Sequence, residues 1–291
     1  MIDAPNLEEF LAASCAEVAP FAPSSLVYAA AGTRRSAALQ GLPANSDAYA
    51  RWTLHQMIAS CDLIFRHGVR HIFTILATPG QFAEVGSYRR RLIDWIQRAL
   101  SGSEAREAFE RYPWRARLWT DSSIPELLPL QEAMSAASAG ARQVLWCLVI
   151  ADPSALWQHI LARVVAQGVT TQAEAITACY GPDVDPVSLY LGFGKPALGP
   201  ELLPPFLMGK VQCYWTQRPG YALCEEELRR ILYDYAFLRA TWQPDKSTRA
   251  EAALADRSAW ERGPILGLGR RLGPFWYPQH WQMPGEEEEN A

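Results

Sequence analysis

Two adjacent arginines follow an apolar run near the beginning of the chain, and their chemistry is that of an anion site. Residues 26–31 are rich enough in Val, Leu, Tyr and Ala for a buried strand, and Gly32, Thr33, Arg34 and Arg35 come directly after them. Ligands of open α/β sheets bind outside the carboxyl ends of the strands. Arginine keeps its charge and donates two hydrogen bonds at once to phosphate oxygens. These ten residues alone also fit a surface loop with two solvated arginines, and the rest of the chain favours the anion site.

Other groups of residues are weaker candidates for a ligand-binding or metal-binding site. The turn Gly192-Phe193-Gly194-Lys195 follows an apolar stretch and offers N–H groups and one ammonium to an anion, although an ordinary tight turn is the simpler interpretation. Asp183 and Asp185 are either a metal-binding pair or, more commonly for such a segment, a turn with one N-cap aspartate. The six cysteines are scattered and the five histidines show no ligand spacing backed by cysteines or carboxylates, so spacing indicates no structural zinc site.

Strand-like apolar runs alternate with longer helical patterns, which predicts an α/β fold with a parallel sheet covered by helices. The predicted strands lie near residues 25–31, 70–77, 115–119, 144–151, 188–193 and 210–215. The predicted helices lie near residues 6–18, 47–67, 86–100, 103–111, 126–139, 153–167, 171–179 and 223–241. We expect residues 1–285 to form a single domain and the acidic residues 286–291 to be a disordered tail.

The composition of the chain limits the classes of partner that it is expected to bind. The chain has 291 residues and a formal net charge of −4, which gives no general reason to expect binding to nucleic acid or to anionic membranes. It contains no run of 18 apolar residues and no signal-peptide pattern, so we expect a cytoplasmic protein with reduced thiols and no stable membrane insertion. Eleven tryptophans indicate either a strongly aromatic core or an aromatic cavity able to stabilise a cation.

The candidate motifs also match one family in the same order along the chain. Gly32-Thr33-Arg34-Arg35 resembles the D-G-T-R-R-W motif of tuberculosinol/isotuberculosinol synthases, and residues 180–194 resemble their Y-G-x-x-V-D…I-G-F-G. Residues 228–234, L-R-R-I-L-Y-D, match a third motif at all seven positions, and residues 65–69 match F-E-H-G-I more loosely. The matched blocks span residues 25–240, and the seven-residue match is the most specific of them.

The resemblance implies the cis-prenyltransferase fold, a central parallel sheet flanked by helices with a hydrophobic tunnel, in a homodimer. It implies a diterpene synthase that ionises a bicyclic diterpenyl diphosphate of the kolavenyl or tuberculosinyl/halimadienyl type, supplied by a separate class II cyclase. Water then quenches the cation to give a diterpene alcohol and diphosphate. Arg34 and Arg35 match the family's diphosphate-binding arginines, and Tyr49 takes the place of its substrate-side tyrosine if one residue is inserted before it. We add Tyr88 and Asp185 as further candidates.

The chain departs from the family at the first position of this motif, where Ala31 replaces an aspartate. In chain-elongating cis-prenyltransferases that aspartate is linked to Mg²⁺, and a second acidic pair of the family falls near residues 78–80, where only Glu84 is close. Mg²⁺ dependence is therefore doubtful. Either the arginines act alone, or Asp185 or Glu84 substitutes, or the chain is a non-catalytic prenyl-diphosphate-binding partner subunit. A cis-prenyltransferase consuming isopentenyl diphosphate also stays open, although Ala31 disfavours it.

Overall fold

The computed structural model describes residues 5–43, 46–83, 87–194, 196, 198–199, 201–216, 218–238, 250–251, 254, 257, 269–272 and 275–278. The acidic stretch 286–291, Glu84 and Lys195 lie outside these ranges. None of the helices within them is both long and apolar enough to span a membrane.

A six-stranded parallel sheet forms the centre of the structure. Its strands are β1 (Ser25–Tyr28), β2 (His71–Ala77), β3 (Arg115–Thr120), β4 (Val144–Val149), β5 (Val187–Phe193) and β6 (Met208–Thr216). They are arranged in the order β3-β4-β2-β1-β5-β6, and every neighbouring pair is parallel. All six predicted strands are therefore confirmed, and with them the parallel sheet. A separate antiparallel pair follows, β7 (Gly269–Leu272) and β8 (Phe275–Pro278).

Helices cover the sheet. They are α1 (Leu7–Ala12), α2 (Cys15–Val18), α3 (Thr33–Leu39), α4 (Asp47–Arg66), α5 (Pro79–Phe82), α6 (Tyr88–Ser101), α7 (Ser103–Glu110), α8 (Leu128–Ala137), α9 (Pro153–Ala166), α10 (Gln172–Tyr180) and α11 (Glu225–Tyr233). Short 3₁₀ turns occupy Ala19–Phe21 and Pro125–Leu127, and a π-helical turn, Asp234–Leu238, continues α11.

The helix boundaries depart from the predicted ones in two places. The predicted helix over 6–18 is two helices, because Ser14 begins a new one: its hydroxyl accepts from the Glu17 N–H, and the Glu17 carboxylate accepts from the Ser14 N–H in return. The predicted helix over 223–241 keeps α-helical hydrogen bonding only as far as Tyr233. Helices α3 and α5 were not predicted.

Two hydrophobic clusters, one on each face of the sheet, make up the core. Tryptophan contributes strongly to both. Trp114 packs against Phe65 and Tyr112 with ring centres 5.3 and 5.1 Å apart, and Trp146 stacks on Phe73 at 5.5 Å. Many of the aromatic residues therefore serve the core, the simpler of the two interpretations of the composition.

The seven-residue motif of α11 is structural. Leu228 and Leu232 are fully buried, and Arg229 is 6% exposed. The Arg229 guanidinium donates to the carbonyls of residues 10, 11 and 13, where α1 ends. Since the last carbonyls of a helix lack intrahelical donors, Arg229 satisfies them and fastens α1 to α11. Arg230 instead forms a surface pair with Glu226 at 2.9 Å.

Candidate active site

A cavity of about 610 Å³ opens at the carboxyl ends of β1 and β2. Its lining comes from the segment after β1, from α4 and α6 on one side, and from the segment after β2. Most of these residues are apolar, including Leu54, Met57, Leu92 and Ile96. The polar groups gather at the end where α3 begins.

Gly32 makes the turn that presents this polar end. Its φ is +76°, in the left-handed region that side chains other than glycine's rarely adopt. A Cβ on Gly32 would lie 2.9 Å from Pro219 Cβ and 3.1 Å from the Phe193 ring. The Gly220 N–H donates to the Ala31 carbonyl at 2.6 Å, which holds the turn from the other side. Position 32 therefore requires glycine, both for its backbone conformation and because a Cβ atom has no space there.

Both arginines lie at the start of α3 and line the cavity. Arg34 is half-buried; its guanidinium contacts the Tyr88 hydroxyl and lies 4.8 Å from the centre of the Tyr88 ring. Arg35 is exposed, with its guanidinium 5.0 Å from the centre of the Phe193 ring. The N–H groups of Arg35 and Ser36 donate to the Gly32 carbonyl, so those of Thr33 and Arg34 precede the first intrahelical bond.

Two tyrosines, Tyr49 and Tyr88, lie beside the residues that begin α3, and one tryptophan packs against both. The Tyr49 and Thr33 hydroxyls are 2.7 Å apart. Trp95 packs edge-on against Tyr49 at 5.9 Å and against Tyr88 at 6.5 Å between ring centres. Its indole N–H donates to Asp47 at 3.3 Å. Sequence reasoning missed Trp95; the signal available was its place on the apolar side of a predicted helix, which core packing explains equally well.

Tyr221 and Thr53 are two further hydroxyl-bearing residues of the lining that the sequence did not single out. Burial raises the pKa of the Tyr221 phenol well above its usual range. The Thr53 Oγ1 is buried without a hydrogen-bond partner among the described residues. Such a group is a ready partner for water or for an oxygen of a bound molecule.

The described lining offers no carboxylate, and Ala31 contributes a methyl group at the position of the family's aspartate. Mg²⁺ binds carboxylate and phosphate oxygens in octahedral geometry. The described lining therefore does not form a Mg²⁺ site from its own side chains.

Six of the seven predicted site residues lie together in this lining: Gly32, Thr33, Arg34, Arg35, Tyr49 and Tyr88. The structure does not bring Asp185 to this lining. Asp185 precedes β5, so it lies at the amino edge of the sheet, and its carboxylate pairs with Arg70 at 2.6 Å. Chain direction in a parallel sheet puts such a residue at the end opposite the cavity. Asp183 is there too, its carbonyl 3.0 Å from His71 Nε2.

The chain is similar over nearly its whole length to (+)-kolavelool synthase from Herpetosiphon aurantiacus. The two are 42% identical over 284 residues, which cover 97% of this chain and 98% of the relative. The chain belongs to the family of cis-prenyltransferase-like diterpene synthases. It is a terpene synthase acting on a diphosphate, as the resemblance of its motifs implied.

The chain is also similar to a more distant relative. Tuberculosinyl adenosine transferase from Mycobacterium tuberculosis is 22% identical over 279 residues, covering 88% of this chain and 91% of the relative. No family model matches the synthase.

Solved structures confirm the fold. A probable undecaprenyl diphosphate synthase from Campylobacter jejuni has a TM-score of 0.54 at 15% identity. Lavandulyl diphosphate synthase from Lavandula x intermedia, in complex with dimethylallyl diphosphate, has a TM-score of 0.53 at 11% identity. Each match covers 76% of the synthase and 98% of the solved chain. The synthase therefore has the cis-prenyltransferase fold.

Proposed function

We propose that the synthase ionises a preformed bicyclic diterpenyl diphosphate, of the kolavenyl or tuberculosinyl/halimadienyl type, and that water captures the cation to give a diterpene alcohol and diphosphate. Arg34 and Arg35 beside a mostly apolar cavity are the observation that carries the proposal. The cavity volume, about 610 Å³, lies within the range of about 300–1,000 Å³ typical of small-molecule sites. The name of the 42% identical relative supports the same chemistry.

Ionisation breaks the bond between the allylic carbon and the diphosphate oxygen, and the electron pair leaves with the diphosphate. Negative charge therefore grows on the leaving group in the transition state. Arg34 and Arg35 donate charge-assisted hydrogen bonds to its oxygens, and donors fixed in advance stabilise that growing charge most effectively. The contacts of Arg34 with Tyr88 and of Arg35 with Phe193 hold the two guanidinium groups ready.

The hydrocarbon cation stays beside apolar side chains and aromatic rings. Tyr49, Tyr88 and Trp95 present ring surfaces along the cavity, and aromatic faces attract cations through their quadrupole. Exclusion of bulk water leaves capture to a bound water, for which the hydroxyls of Tyr49, Thr33 and Thr53 are the available partners. The proton released on capture passes to the departing diphosphate.

We further propose that the synthase is a cytoplasmic homodimer fed by a separate class II cyclase. Support for an interface comes from α9, where Trp157, Leu161 and Val165 form an exposed apolar stripe at helical spacing. Exposed apolar patches of this kind commonly mark protein contacts. The cysteines are all free, in keeping with a reducing compartment. Light scattering coupled to gel filtration measures the mass directly, and a monomer at every concentration would contradict the dimer.

The test is incubation of purified protein with a panel of diphosphates, with and without Mg²⁺, analysed by mass spectrometry. The panel holds geranylgeranyl, kolavenyl and halimadienyl-type diphosphates, each also with isopentenyl diphosphate. We expect an alcohol from a bicyclic substrate only. Consumption of isopentenyl diphosphate would establish a cis-prenyltransferase instead. Tight binding without turnover, with another protein recovered in pulldowns, would establish the non-catalytic partner subunit.

A further inference from the structure

A second group of chemically capable side chains lies at the amino edge of the sheet. Cys15 is the first residue of α2, His67 directly follows α4, and Glu225 is the first residue of α11. Cys15 Sγ is 3.7 Å from His67 Nε2 and 3.9 Å from Glu225 Oε1, and the Nε2 to Oε1 distance is 3.5 Å. Three residues far apart in the sequence thus direct one sulfur, one nitrogen and one oxygen at a common point.

These separations are close to the edges of a zinc coordination tetrahedron. Zinc bonds of about 2.3 Å to sulfur and about 2.0–2.1 Å to nitrogen and oxygen give edges of about 3.5 Å from sulfur and about 3.4 Å between nitrogen and oxygen. Each observed distance is within about 0.4 Å of that value. A small closing movement of the exposed Glu225 side chain toward the half-buried Cys15 would complete the site.

Neighbouring groups orient the ligands as they do in zinc proteins. His67 is fully buried, and its Nδ1 lies 2.8 Å from the Leu63 carbonyl. A carbonyl accepts only from an N–H, so this contact puts the proton on Nδ1 and leaves the Nε2 lone pair for a metal. Arg229 donates to Glu225 Oε1 at 2.8 Å and fixes the carboxylate.

We propose that Cys15, His67 and Glu225 bind one Zn²⁺, with water as the fourth ligand. The Glu225 side chain is 46% exposed, which leaves an open side for that water. A thiolate, an imidazole and a carboxylate are the ligand types that zinc prefers, and the Cys15 thiol gives its proton to solvent on binding. The thiolate and carboxylate together carry two negative charges, beside which the Arg229 guanidinium, 2.8 Å from Glu225 Oε1 and 3.8 Å from Cys15 Sγ, adds one positive charge to those of the ion.

The ion connects segments of the chain. It fastens the N-terminal segment to the end of α4 and the start of α11, whereas Arg229 connects the N-terminal segment to α11 only. The cavity lies at the other edge of the sheet, separated by the seven residues of β2, about 20 Å at the usual rise of a strand. The site is therefore independent of the diphosphate chemistry and of the metal question there.

The test uses full-length protein freed of metal by chelator and then titrated with Co²⁺ as a spectroscopic substitute. We expect a thiolate-to-cobalt charge-transfer band that saturates at one equivalent per chain and disappears when Zn²⁺ is added. Cys15→Ser removes the band, and Glu225→Gln weakens binding at least about 100-fold, more than loss of an orienting partner costs. Cys179→Ser, which changes a half-buried thiol elsewhere, leaves the titration unchanged.

Thermal melting with and without Zn²⁺ gives a second, independent measurement. Zn²⁺ raises the melting temperature of the wild-type protein and leaves that of Glu225→Gln unchanged. Each protein is compared with its own metal-free sample, because Glu225→Gln also removes the carboxylate partner of the buried Arg229. The proposal would be overturned if neither metal changed the spectrum or the melting temperature of the wild-type protein. The three side chains would then be only a hydrogen-bonded cluster. An unchanged cobalt band in Cys15→Ser would overturn it as well.

Discussion

Replacing Arg35 by alanine separates the chemistry of the cavity from the stability of the fold. The side chain is exposed, and its recorded contact is the Phe193 ring at 5.0 Å from the guanidinium. A cation–π contact at an exposed site is worth about 0.5–1 kcal/mol. In a chain of this size, such a loss lowers the melting temperature by less than about 4 °C. The folded state therefore survives the substitution nearly unchanged.

The rate should fall much further. Loss of one fixed hydrogen-bond donor to a developing anion costs about 100- to 1,000-fold in kcat. We expect Arg35→Ala to lose diphosphate release by that factor, and Arg35→Lys to lie between it and the wild type, because lysine keeps the charge without the planar fork.

The assay is the initial rate of diphosphate release from a bicyclic diterpenyl diphosphate, with melting curves of the same samples. Arg111→Ala is the matched control, since Arg111 is an exposed arginine after α7 and outside the cavity lining. Wild-type turnover in Arg35→Ala would refute the role of this arginine in ionisation. A rate loss that follows a large fall in melting temperature would refute the separation of chemistry from folding.

Three further substitutions test the fold and the metal question. Gly41→Ala, with open space at a φ of +71°, should lower the free energy of unfolding in urea by about 1–2 kcal/mol, the cost of the left-handed backbone alone. Gly32→Ala has a φ of +76° and also puts a Cβ 2.9 Å from Pro219 Cβ, so it should cost about 1–3 kcal/mol more than Gly41→Ala. Equal losses would contradict the steric argument. Arg229→Ala leaves buried carbonyls and Glu225 without their donor and should lower the free energy of unfolding by about 3–5 kcal/mol. Arg230→Ala changes a surface ion pair and should lower it by less than about 1 kcal/mol. The reverse order would contradict the structural role of the motif. Ala31→Asp restores a carboxylate to the lining and should make turnover more dependent on Mg²⁺; rates equally insensitive to added metal and to EDTA would remove that explanation of the departure.

The sheet was legible in the sequence because buried parallel strands are continuous, β-branched and bounded by polar segments. Residues 144–151 and 69–77 show this pattern. The structure ends β2 at Ala77, together with its apolar run, and ends β4 at Val149, shortly before its apolar run ends at Ala151. The gathering of Arg34 and Arg35 at the carboxyl edge followed from the same rule. The local sequence pattern and the topology of the fold together determine where these two arginines lie.

What the sequence did not disclose depends on contacts between distant segments. Helix α3 is seven residues long and starts at a left-handed glycine, so it is too short for its hydrophobic periodicity to predict it. Asp185 looked like a ligand because only its spacing from Asp183 was visible, whereas its side of the sheet became clear once β5 was placed. Trp95 belongs to the site because α6 packs beside α4, and no local sequence pattern predicts that these two helices are neighbours.

The same limit applies to the proposed zinc ligands. Cys15 and His67 are 52 residues apart, and Glu225 follows much later in the chain. Zinc motifs are recognised from pairs of ligands at short spacing. A site assembled from three separate helix ends has no such pair and is visible only in three dimensions.

The most direct test of the central claim is a turnover experiment in water enriched in heavy oxygen. Wild-type protein and a variant carrying Arg34→Ala and Arg35→Ala are incubated with a bicyclic diterpenyl diphosphate, and alcohol and diphosphate are both analysed. Ionisation of the carbon–oxygen bond predicts that the wild type releases diphosphate in equal amount to an alcohol carrying the heavy oxygen, and that the variant releases neither. An alcohol with ordinary oxygen would mean cleavage at phosphorus and would contradict the account.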